Sequence, residues 1–141
     1  MKSRKAGHVH VLVFAKGEEV VQTIVDYCDR ERIHGAWVQG VGAVKHAQIG
    51  FYDDVKKEYV FKLEPGPFEL ASMQGNITMT DGKSFAHIHA VLSRMDDKLT
   101  CIGGHVKALV VSVTVEVMLT PIDIPLTRRY DDDIGLNLLD V

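Results

Sequence analysis

The chain has 141 residues, 46% apolar and 25% charged, which predicts one folded domain over residues 1–141 and excludes a disordered or collagen-like chain. Its net charge is -3, from 16 Lys and Arg against 19 Asp and Glu, so the basic stripe expected of a phosphate-binding surface is missing. No apolar run reaches the roughly 18 residues of a membrane span; with only two distant cysteines, Cys28 and Cys101, the expectation is a soluble cytoplasmic protein with buried, unpaired thiols.

In chain order, "MKSRK" is the one basic cluster and reads as a solvated end or a weak phosphate contact. "HVHVLVFA" alternates and then turns wholly apolar, which predicts a strand, with His8 and His10 on an ordinary partly exposed face. "GEEVVQTIVDYCDRERI" sets Val20, Ile24 and Cys28 on one helical stripe, with Glu18 and Glu19 in the first turn, where the helix dipole favours acids. "AWVQGVGAV" predicts a central strand that bends or bulges at Gly40 and Gly42. "HAQIGFYDD" and "KEYVFKL" form a hairpin, and His34 and His46 sit at element edges on the surface. "FELASMQGNITMT", the turn "DGK", "SFAHIHAVLSR", the turn "MDDK" and "LTCIGGH" follow. "ALVVSVTVEVMLT" is a long β-branched strand stopped by Pro121. The tail "IPLTRRYDDDIGLNLL" has no period, but its aliphatic residues predict docking on the body. The pattern is α+β, a largely antiparallel sheet with one main amphipathic helix. One helix cannot cover so many strands, which points to self-association.

The chemistry concentrates in "HIHAVLSRMDDKLTCIGGH". His87 and His89 point to the same side of a strand, about 6.5 to 7 Å apart, and the turn brings back His105, after Gly103 and Gly104, which permit close approach. Three neutral imidazoles with an open fourth position make a catalytic or exchangeable zinc site. The ordinary alternative is a set of hydrogen-bonded interior histidines, since His8 and His10 repeat the H-x-H pattern with no third partner. Glu116, within the apolar "VTVEVML", needs a hydrogen-bond donor or a strand end; if it faces the histidines it can orient one of them or accept a proton. No G-x-S-x-G, Walker loop or paired-carboxylate motif specifies a reaction. A binding module and a metal-dependent enzyme or small-molecule binder at the histidines both stay open.

"FAHIHAVLSRMDDKLTCIGGHV", with "VQGVGAV", "GPFELASMQGNI", "VTVEVML" and "TRRYDDDIGLNLL", resembles the plants and prokaryotes conserved domain family, as a stand-alone prokaryotic member. The resemblance implies an α+β homotrimer and a metal site that maps to His87, His89 and His105. It also implies DNA association as a family label, although the Arg-Gly-Arg-Pro hooks of plant members are absent here and the net charge gives no support. In "GPFELAS", plant members carry a basic residue before the Phe-Glu pair, in a motif that recruits partners. This chain has Pro67 there, while Gly66, Phe68, Glu69 and Leu70 match the motif as a possible partner or subunit contact. On residue chemistry alone, Phe68 packs into a core or a subunit contact, and Glu69 pairs with a cation or is solvated.

Overall fold

Period-two alternation and β-branched residues hold most of the chain extended, and the computed structural model, which describes residues 1–141, has eight strands and one helix. They are β1 (Lys2–Ala6), β2 (Val9–Ala15), α1 (Val20–Glu31), β3 (Ala36–Asp53), β4 (Glu58–Thr80), β5 (Lys83–Arg94), β6 (Cys101–Pro121), β7 (Thr127–Asp131) and β8 (Leu136–Asp140). The sheet runs β1-β2-β6-β3-β4-β7-β8, and β5 pairs with both β4 and β6. The strands β3, β4, β5 and β6 therefore close a circuit of antiparallel pairings. The one parallel contact is Met79 with Thr127.

The helix packs against β5 and β6 and buries Val20, Ile24, Tyr27 and Cys28. Burial in an apolar site pushes the Cys28 thiol up to about 12, so it is an inert packing residue. Glu19 is the cap rather than a first-turn residue: its carboxylate accepts from the Val21 and Gln22 backbone N–H groups at 2.9 and 2.6 Å, satisfying two orphan donors. Inward-facing Leu12, Phe14, Phe68, Leu92, Leu109 and Leu119 are fully buried in the same core as the helix residues, each contributing about 1.5–3 kcal/mol. No helix is long and apolar enough to cross a membrane.

Several local expectations change. "AWVQGVGAV" and "HAQIGFYDD" are one strand, β3, whose register shifts at Gly40/Gly42 and Val44/His46 absorb the twist between its halves. The basic segment is not a free end: Gly7, at φ 62°, turns the chain so that β1 pairs with β2. The exposed Lys2, Arg4 and Lys5 thus line an outer strand, where cations discourage edge pairing. The aperiodic tail is a hairpin of β7 and β8, held to the β3–β4 turn by Tyr52, whose hydroxyl donates to the Ile134 carbonyl at 2.7 Å. His10 is buried, not exposed, with Nδ1 2.8 Å from the Tyr27 hydroxyl. Cys101 is exposed, not buried.

Candidate metal centre

The circuit of strands fixes the histidines by register. His89 lies directly opposite His105, and His87 follows two residues along the same face of β5. Glycine makes the approach possible at two points. A Cβ on Gly75 would sit 2.1 Å from the His87 carbonyl oxygen, and one on Gly104 would sit 2.4 Å from that of Gly50. Adjacent strands could not close around the site with any other residue there.

The three rings meet with centroids 5.1, 5.2 and 5.3 Å apart. One nitrogen from each lies within 4.8 Å of the others, and His87 Nε2 is 3.2 Å from His89 Nε2. Tetrahedral zinc with bonds of about 2.1 Å requires nitrogens roughly 3.4 Å apart, a spacing that His87 and His89 already hold and that the third imidazole approaches. His105 is buried, His87 half-buried and His89 exposed, an arrangement that anchors two rings and leaves the third at the opening. Tyr59 packs on His105 at 4.6 Å between centroids, with Phe61 at 5.9 Å. Burial, then His87, His89 and Arg128, pushes His105 down to about 4, while burial, then Arg128 and His89, lowers His87. Both rings are neutral at pH 7, the form that binds metal.

Beside His89 opens a groove of about 440 Å³ lined by Ser72, Gln74, His89, Val91, Gly103 and Gly104. A second groove, of about 350 Å³, shares Ser72 and Gln74 and runs on to Gln39 and Glu116. Glu116 lies on the exposed face of β6, opposite Val13 and Val41, and has no hydrogen bond to the histidines. Solvent exposure explains how a carboxylate sits in an apolar strand without a partner.

In the 66–70 motif, Phe68 and Leu70 point into the core and Glu69 outward. Arg94 stacks over Phe68 at 5.0 Å. Phe68 is thus a core residue within the single chain. The residue that sequence reasoning missed is Arg128, on β7. Its guanidinium donates to Thr78 Oγ1 at 2.8 Å, Asn76 Oδ1 at 2.9 Å and the Asn137 carbonyl at 2.9 Å, and reaches His87 Nδ1 at 3.4 Å. Nothing in "TRRY" marks this role, because every partner but Asn137 lies at least 41 positions away.

Residues 1–123 match the Plants and Prokaryotes Conserved (PCC) domain. The chain belongs to this family. The PCC match ends before β7, so Arg128 comes from a hairpin outside it. A metal-containing protein from Archaeoglobus fulgidus is 34% identical, with TM-score 0.85 over 97% of this chain and 96% of its own. A Ralstonia eutropha protein described as a candidate DNA-binding protein is 29% identical, with TM-score 0.91 over 99% and 96%. A Bacteroides thetaiotaomicron protein described in the same way shares the fold, with TM-score 0.93 over 99% and 96% at 22% identity. No curated protein matches the sequence.

The lowered histidines make stability depend on pH. Between about 4 and 6.5 the unfolded chain binds protons that folded His105 refuses, so this contribution is complete above about 6.5 and is lost as pH falls. Thermal melts of metal-free protein from about pH 7.5 to about pH 4.5 should show a steeper acid loss for the wild type than for His105→Gln. Equal slopes would contradict the assignment.

Proposed function

We propose that the protein is a homotrimeric PCC-domain binding module of the cytoplasm whose His87, His89 and His105 hold a zinc ion, and that it acts in a DNA-associated or regulatory role. The observation that carries the metal is the convergence of three imidazoles within 4.8 Å, two of them kept neutral. The Archaeoglobus fulgidus relative, 34% identical, is described as metal-containing, which supports the same reading. Self-association is supported by an apolar stripe on the sheet face away from the helix. Trp37, Val41 and Met118 are 42%, 53% and 49% exposed there, a surface monomers seldom leave to water. DNA association is supported by the description of the Ralstonia eutropha relative and by the Lys2, Arg4 and Lys5 edge. The net charge of -3 opposes it, so the expected affinity is weak and carried by phosphates.

A second reading, a metal-dependent enzyme or small-molecule binder, is favoured by the groove at His89. A zinc ion there would polarise a bound oxygen or acidify a water. Of the chain's own residues, Ser72 and Gln74 would orient a polar molecule entering from that side, and Glu116 stands at the far end of the connected groove. Glu116 in this reading contacts the ligand's remote end instead of orienting a histidine.

Elemental analysis should find close to one zinc per chain in the wild type and almost none in a His87→Ala, His89→Ala double variant; equal metal content in both would remove the site. Sedimentation should give three times the chain mass, and Met118→Lys should lower it; a monomer would end the trimer reading. Filter binding of duplex DNA should be measurable at about 50 mM salt, drop by orders of magnitude near 200 mM and ignore sequence. No retention at the lower salt would dismiss DNA and leave the metal module.

A further inference from the structure

Arg128 and a bound metal make opposite demands on His87. A guanidinium only donates, so the 3.4 Å contact from Arg128 Nη2 falls on the Nδ1 lone pair of neutral His87. The ring's proton is then on Nε2, donating to His89 Nε2 at 3.2 Å. Ligation through His87 Nε2 reverses this, because Nδ1 must carry the proton and a donor then faces a donor. Metal-bound histidines ordinarily pass that N–H to a carboxylate, a carbonyl or water. No carboxylate of this chain forms an ion pair with Arg128 or a hydrogen bond with His87. One of the five guanidinium N–H groups, on Nη1, is also left without a partner.

The space behind His87 is not filled by protein. A cavity of about 230 Å³ lies there, walled by Tyr59, Phe85, His87, Arg128, Leu136 and Leu138. It is smaller than the roughly 300–1,000 Å³ of pockets for drug-sized ligands, and apart from Arg128, His87 and Asn137 its lining is aromatic or aliphatic. We propose that this cavity takes a small organic carboxylate with an apolar body, whose oxygens accept from Arg128 and from His87 Nδ1–H. The carboxylate and the metal then bind with positive coupling. The inference rests on the metal reading above and adds a ligand class to it. The carboxylate supplies from outside the acceptor that the fold omits, and it neutralises an unpaired guanidinium. The apolar body is covered by Tyr59, Phe85, Leu136 and Leu138.

The test is zinc affinity of the full chain, measured by competition with a chelating dye, with benzoate or its neutral counterpart benzamide present. Benzoate should tighten zinc binding by a factor in the roughly 5–150-fold range of such couplings, zinc should tighten benzoate by the same factor, and benzamide should do neither. Arg128→Met should bind zinc more tightly than the wild type without benzoate and lose the coupling. Because Arg128 also ties down the hairpin, Leu138→Glu gives an independent check: its own carboxylate in the cavity should tighten zinc and abolish the benzoate effect. Zinc uptake indifferent to benzoate would overturn the inference and leave the metal site standing. Coupling that survives both substitutions would put benzoate on the metal itself and overturn it as well. A wild type that takes up no zinc would overturn the metal reading along with it.

Discussion

The cross-strand pairing of His89 with His105 is the constraint on which the site depends. In an open sheet, the register of β5 on β6 would be set only by their own turn. Here each of those strands is also fixed elsewhere, β5 by β4 and β6 by β3. A one-residue slip would turn His87 and His89 to the opposite face and carry buried Ile88, Ala90 and Leu92 into solvent. The core therefore holds the imidazoles in register, and no part of their own interaction is needed to assemble them. This makes the site preorganised at the level of backbone.

How much of this was legible in the sequence follows from the range of the forces involved. Elements fixed by local periodicity were readable: the helical stripe of Val20, Ile24 and Cys28, the bulge near Gly40 and Gly42, and the hairpin that returns His105 to His89. Elements fixed by distant partners were not. The strand at Lys2–Ala6 has five exposed residues and exists through its pairing with β2. His10 looks like any alternating strand residue until Tyr27, one helix later, supplies a hydroxyl at 2.8 Å. Fusion of the two predicted strands into β3 could not be read either, since a bulge lets a strand continue where alternation breaks.

The candidate site divides along the same line. H-x-H on a strand and a glycine-flanked histidine after a tight turn announce themselves because a strand has a fixed period. Glu116 shares their strand chemistry, yet in β6 it lies eleven positions beyond His105 and opposite Val41 rather than Gly50. Arg128 was invisible, because a tail with no period reaches β4 and β5 only through tertiary docking. Gly66, Phe68, Glu69 and Leu70 were legible as a motif but not in role. Within the chain, Phe68 and Leu70 serve the core, which leaves Glu69 as the member exposed to any partner.

Charge around the three histidines differs from the surroundings of a structural zinc site. A structural zinc site closes its coordination shell with protein ligands and surrounds it with acceptors. Here the groove beside Ser72 and Gln74 leaves His89 open on one side, and on the other side a cation, Arg128, reaches His87. That cation comes from β7, in a hairpin outside the PCC match, whereas all three histidines lie within it. The three imidazoles and the cation beside them are thus carried on separate parts of the chain. Changes in the hairpin can alter the wall of the cavity behind His87 without moving β5 or β6, because the hairpin meets the closed circuit through side-chain bonds and a single parallel bridge. A cluster so divided can keep its three imidazoles in place while the charge beside them varies.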